Sequence, residues 1–164
     1  MIPTNNRLSY ANGYLDLGMI EEASHELDAI DDSDRLSPSV LAMRSRLYLE
    51  MANWELLEAV SEKLCELDPK QVVGWVHWAY ALREMDRNQE AKRVAQIGLR
   101  SHPKCAVLWF NLACYCSLLG ELEVASSHLD KAIALDEGFE SEAVDDPDLA
   151  NLWDWLRSKG ESDE

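Results

Sequence analysis

No stretch of the 164-residue chain reaches the roughly 18 consecutive apolar residues that a membrane-spanning helix needs, so a transmembrane role is not expected. The first residues, Met1-Ile2-Pro3-Thr4-Asn5-Asn6-Arg7, contain no charged segment leading into an apolar run, so no secretory signal is expected. Cysteine is sparse. Cys65, Cys105, Cys114 and Cys116 form no CxxC pair, and Cys114 and Cys116 fall on different faces of a helix. A disulfide framework is unnecessary in a chain this long, so four reduced thiols in a cytoplasmic protein are expected. Positive charge is scarce too: 15 Lys and Arg stand against 31 Asp and Glu, for a net charge of −16. An acidic surface repels phosphate, which argues against nucleic acid and anionic membrane as partners. Phe is rare at two residues, whereas Trp is abundant at six, and such large rings serve mainly in packing between helices.

Catalytic and metal signatures are also missing. His25, His77, His102 and His128 form no HExxH arrangement and have no Cys at metal-ligand spacing. There is no GxGxxG, no phosphate-binding GxxxxGK and no nucleophile elbow. The sequence therefore implies no enzyme, no cofactor and no metal. Acidic pairs such as Glu21-Glu22 and Asp31-Asp32 are what a strongly acidic chain carries on solvated faces.

What is present is a period of 34 residues. Pro69 and Pro103 are separated by it, as are Trp75 and Trp109, while Gly18 and Gly120 stand three periods apart. In the same register fall Ala11, Ser45, Ala79 and Ala113; Tyr14, Tyr48, Leu82 and Cys116; and Ala23, Leu57, Ala91 and Ala125. Four units follow without insertion, at 4–37, 38–71, 72–105 and 106–139. Each reads as two helices. Trp109, Leu112, Ala113 and Cys116 recur on one helical face, Gly120 breaks the pattern, and Ala125, Leu129, Ala132 and Ile133 form the next face. The same break is expected at Gly18, near Ala52-Asn53 and near Asp86-Arg87-Asn88. No sustained alternation of apolar and polar residues predicts a strand.

The run Trp109-Phe110-Asn111-Leu112-Ala113, with Tyr115, Gly120, Ala125, Ala132 and Leu135-Asp136, resembles a tetratricopeptide (TPR) repeat nearly place for place. The third unit matches at Trp75, Ala79, Ala91, Gly98 and Pro103, and the first at Ala11, Tyr14, Gly18 and Ala23. The second departs most, with Arg44 and Leu57 at places that are usually apolar and small. Physically, Ala or Gly on facing turns permits close helix approach, and Pro beyond the second helix stops it. The implied fold class is all-α, a right-handed α-solenoid of TPR hairpins forming a single domain over 1–160. Asp145-Asp146-Pro147-Asp148 predicts an acidic N-cap for a capping helix at about 147–159. Its stripe is Leu149, Leu152, Trp153 and Leu156, it ends at Gly160, and 161–164 are expected to be a disordered acidic tail.

The resemblance implies a protein-interaction module, an adaptor or scaffold, with a protein or peptide ligand in a groove lined by the first helix of each hairpin. On this chain the groove positions are Leu8, Asn12 and Leu15; Ala42, Arg46 and Leu49; Val76, His77, Tyr80 and Arg83; and Phe110, Asn111, Cys114 and Ser117. Asn12, Arg46, His77, Tyr80, Arg83, Phe110, Asn111 and Cys114 are the expected partner-binding residues. A chaperone for one client, like the small TPR chaperones of bacterial secretion or assembly systems, is the alternative. The clamp by which some TPR proteins grip acidic chaperone tails is matched only at Asn12, so that activity is not expected. Charge is unevenly spread: the four units carry −6, −2, +3 and −4 and the remainder −7. The third is thus a basic island of Arg83, Arg87, Lys92, Arg93, Arg100 and Lys104, suited to acidic neighbours or to an acidic partner. A monomer or weak homo-oligomer is expected.

Overall fold

The computed structural model describes residues 2–162, and these are helical with no strand among them. Four hairpins come first: α1 (Thr4–Asp16) with α2 (Ile20–Asp28), α3 (Pro38–Glu50) with α4 (Trp54–Leu67), α5 (Val72–Glu84) with α6 (Asn88–Ser101), and α7 (Ala106–Leu118) with α8 (Leu122–Leu135). The remainder forms α9 (Gly138–Asp145), a 3-10 turn (Pro147–Leu149) and α10 (Ala150–Ser162). The fold is an all-α solenoid.

The turn inside each hairpin is the same device repeated. Gly18, Ala52, Asp86 and Gly120, spaced by the 34-residue period, all have positive φ, between 50° and 77°. At each turn the amide after the left-handed residue reaches back to a carbonyl five residues earlier: Met19 to Tyr14 at 2.8 Å, Asn53 to Tyr48 at 3.0 Å, Arg87 to Leu82 at 2.9 Å and Glu121 to Cys116 at 2.9 Å. This closes the first helix with its last carbonyls satisfied and reverses the chain. The expected breaks thus all lie where the turns form.

The period in Pro and Trp has an equally local cause. The Trp75 indole donates to the Pro69 carbonyl, and the Trp109 indole to the Pro103 carbonyl, each at 2.9 Å. Each Pro ends one hairpin, and the indole fastens that loop to the first turn of the next helix.

By contact the chain forms two compact units, Met1–Ala81 and Leu82–Glu164. In the first, Ala11, Leu15, Ala23, Leu27, Ile30, Val40 and Leu47 make one core cluster, with Leu41, Val60 and Leu64 making another. Leu57, a large residue at a usually small place, is fully buried. Arg44 is accommodated at the end of α2, where its guanidinium donates to the Leu27 carbonyl at 3.0 Å and to Asp28 at 3.2 Å, as a cation at a helix C-terminus should. In the second unit Leu108, Leu112, Tyr115, Leu149 and Leu152 are buried.

The C-terminal part differs from expectation in three respects. Between the fourth hairpin and the cap lies α9, a short helix that the sequence does not announce. The cap begins as foreseen, with Asp146 accepting from the Asp148 amide at 2.9 Å and Pro147 opening the turn. Its helix, however, runs through Gly160 to Ser162, so residues 161 and 162 are helical, and the expectation for 163–164 lies outside the described residues. Leu149 and Leu152 are fully buried and Trp153 is half-buried, whereas Leu156 is exposed.

Candidate partner-binding site

The eight expected binding residues divide between the two units. In the first, α3 presents Ser39, Ala42, Met43, Arg46, Leu49 and Glu50, spaced so that they share one helical face. With Val73 and His77 of α5 they line an open cavity of about 380 Å³. Its wall is apolar at Ala42, Met43, Leu49 and Val73, and its polar groups have fixed roles.

Arg46 is the cation of this cavity, and it is held. Its guanidinium donates to Asn12 Oδ1 and to Asp16 Oδ1, both at 2.6 Å, while Asn12 Nδ2 donates to Asp16 at 3.0 Å. Asn12 and Arg46 are therefore joined, directly and through an acid, Asp16, that the sequence pattern does not single out. Arg46 is thus already paired within the chain. Asp16 neutralises Arg46, and Glu50 adds a carboxylate, so the cavity rim is acidic on balance.

His77 sits on the opposite wall. Its Nδ1 lies 2.9 Å from Ser45 Oγ, and the single Ser45 hydroxyl proton goes to the Ala42 carbonyl at 2.8 Å. Ser45 Oγ is then the acceptor, which fixes the Nδ1–H tautomer of His77 and leaves Nε2 as an acceptor. Burial lowers the His77 pKa to about 4, so the ring is neutral at physiological pH. Tyr80 is half-buried, with its ring set edge-on to Trp54 at 5.9 Å between centroids. It packs the start of α4 against α5, and its side chain is not a freely standing anchor.

In the second unit Arg83, Phe110 and Cys114 are met by the chain itself. Phe110 is 3% exposed and its ring stacks on Phe139 of α9, with centroids 4.7 Å apart. Arg83 Nε donates to Asp148 Oδ2 at 2.6 Å, and a second guanidinium nitrogen donates to the other carboxylate oxygen. Cys114 is buried with its sulfur 3.9 Å from Asp146. Burial, with Asp146 and Asp148 nearby, pushes its pKa far above neutrality, so it remains a thiol. Ser117 is buried, and its carbonyl accepts from Asn151 at 3.4 Å. Asn111 is half-buried on α7. The expectation that Phe110 and Cys114 stand open on a groove is thus corrected: residues 139–151 lie over them.

Half of the basic island is answered from within. Arg83 pairs with Asp148, Arg87 with Glu90 at 2.8 Å, and Lys92 with Glu121. Phe139 over Phe110, and Asp148 as the partner of Arg83 rather than only a capping residue, are contacts the sequence does not announce. The available signal was a lone aromatic followed by a carboxylate cluster, downstream of a hairpin carrying surplus positive charge.

Among the described residues no helix is long and apolar enough to cross a membrane. The family model described as tetratricopeptide repeat matches residues 106–139, the α7–α8 hairpin. Anaphase-promoting complex subunit 3 of Schizosaccharomyces pombe is 28% identical over 121 residues, covering 74% of this chain but only 18% of that protein. A thermophilic TPR protein of Thermus thermophilus superposes with a TM-score of 0.72 at 20% identity, covering 82% of this chain and 75% of the other. A crystal structure of MamA protein gives 0.79 at 16% identity, covering 96% and 82%, and MamA from Desulfovibrio magneticus gives 0.72 at 18%, covering 82% and 76%. The α7–α8 hairpin is thus a tetratricopeptide repeat, and with four turns in one register and these neighbours the chain has the fold of a tetratricopeptide-repeat protein.

Proposed function

We propose that the chain is a binding scaffold that holds a segment of a partner protein in the cavity between α3 and α5, without carrying out chemistry. The observation that supports this most directly is the cavity itself. Ala42, Met43, Leu49 and Val73 offer an apolar floor, Arg46 is pre-set by Asn12 and Asp16, and His77 is held in one tautomer. A helix or extended segment gains apolar contact there while its donors meet His77 Nε2, Glu50 and Asp16. Side chains already held by hydrogen bonds lose little freedom on binding, which favours affinity. That a relative is named as a subunit of a complex fits an assembly role.

Site-specific photo-crosslinking tests the proposal. A photoreactive residue at Met43 should capture a partner, one at exposed Glu55 on α4 should not, and Ala42→Arg should block the capture by filling the cavity. Equal capture from both positions, or capture unaffected by Ala42→Arg, would show that the partner does not dock in the cavity.

A further inference from the structure

In the first unit Ala42, Arg46 and Leu49 line an open cavity. Two repeat periods further on, the same register positions are Phe110, Cys114 and Ser117 of α7. There they are covered, by residues 139–151 of the same chain. Phe139 supplies a ring for Phe110, Asp148 a carboxylate for Arg83, Asp146 a carboxylate oxygen beside Cys114, and Asn151 an amide for the Ser117 carbonyl. Between Phe139 and Asp146 the segment makes a short helix in which Ala143 is buried and Glu140, Ser141, Glu142, Val144 and Asp145 are exposed. It therefore meets the α7 face much as a ligand would, with an aromatic anchor at one end and a bidentate ion pair at the other.

We infer that the α7 face is a second peptide-binding surface, whose resident ligand is the chain's own segment 139–148. Its recognition chemistry is an aromatic residue for Phe110, followed by carboxylates two residues apart for Arg83 and the Cys114 wall. The partner it accepts is an acidic peptide segment of that pattern. The guanidinium fork selects a carboxylate bidentately, and the flat Phe110 ring selects another ring. Because α8 and α10 tether the resident segment at both ends, it competes at an effective concentration that for short tethers reaches the millimolar range. Wild-type protein is therefore closed to weak peptides. This surface is separate from the α3–α5 cavity, so either assignment can fail without the other.

The test uses the full chain and a fluorescein-labelled synthetic peptide of residues 137–151, read by fluorescence anisotropy. Phe139→Ala with Asp148→Ala in the protein releases the resident segment. This opened variant should bind the peptide at least about tenfold more tightly than wild type, the factor that 1.4 kcal/mol of relieved competition provides. Adding Arg83→Glu should abolish that gain, and a peptide carrying Phe139→Ala and Asp148→Ala should not bind. Equal binding by wild type and the opened variant, or gain that survives Arg83→Glu, overturns the inference. So does loss of cooperative melting in the opened variant, which would make the segment an inseparable part of the fold. Amide hydrogen exchange on wild type gives an independent reading. Amides of 140–146 should exchange at least about tenfold faster than those of α7 and α8, as a separately opening segment does. Equal protection overturns the inference as well.

Discussion

Single residues carry much of this fold's logic, and Ala52 shows it. The left-handed turn it occupies, at φ 50°, is filled by Gly at Gly18 and Gly120. An L-residue there costs about 1–2 kcal/mol, and Gly costs about 0.5–1 kcal/mol more chain entropy than Ala, so Ala52→Gly should stabilise by about 0.5–1 kcal/mol in urea unfolding. His77 makes a pH-dependent contribution. Its folded pKa lies near 4, below the ordinary value of 6.5, so the unfolded state binds the extra proton first. Stability from the neutral ring is complete above about pH 6.5 and falls as pH drops toward 4. Between pH 7 and pH 5, wild type should lose about 2 kcal/mol more than His77→Gln, following 1.36 kcal/mol per pH unit of protonation difference. Urea denaturation of both proteins at the two pH values decides this. The positions of Arg46 and Arg83 were readable from the register, but their partners were not. With 31 acids and 15 cations, each cation has several acids within sequence reach, and only tertiary geometry chooses Asp16 and Asp148.

At the level of elements, the four hairpins and their turns were legible because the signal recurs: small residues at Ala11, Ser45, Ala79 and Ala113 are all fully buried. The helix α9 was not legible, since between Gly138 and Asp145 only Phe139, Ala143 and Val144 are apolar, too few to make a stripe. Contact between α4 and α5 depends on Gly74, where a Cβ would stand 2.9 Å from the Cys65 sulfur and 3.3 Å from Leu64. Gly74→Ala must push these side chains aside and should destabilise by about 1–3 kcal/mol in chemical unfolding. The closing segment is held by Leu149 and Leu152, both fully buried. Leu149→Ala should cost about 2–5 kcal/mol, the range for a core leucine whose cavity only partly collapses, and lower the melting temperature accordingly. A melting temperature within error of wild type would show that the segment does not brace the second unit.

Over the whole molecule, one repeat grammar yields two different surfaces. The first unit leaves the α3–α5 cavity open with an acidic rim, while the second covers the equivalent α7 positions with its own acidic segment. Sequence register names the positions in both, and only the folded chain distinguishes the open one from the covered one. On the proposed reading, recognition uses the open cavity. Isothermal titration calorimetry of the captured partner against wild type and Ala42→Arg tests it most directly, with thermal melting to confirm that the variant stays folded. Ala42→Arg should weaken binding at least about thirtyfold, as blocking a desolvated anchor worth about 2 kcal/mol or more requires. Unchanged affinity in a variant that melts like wild type would contradict it.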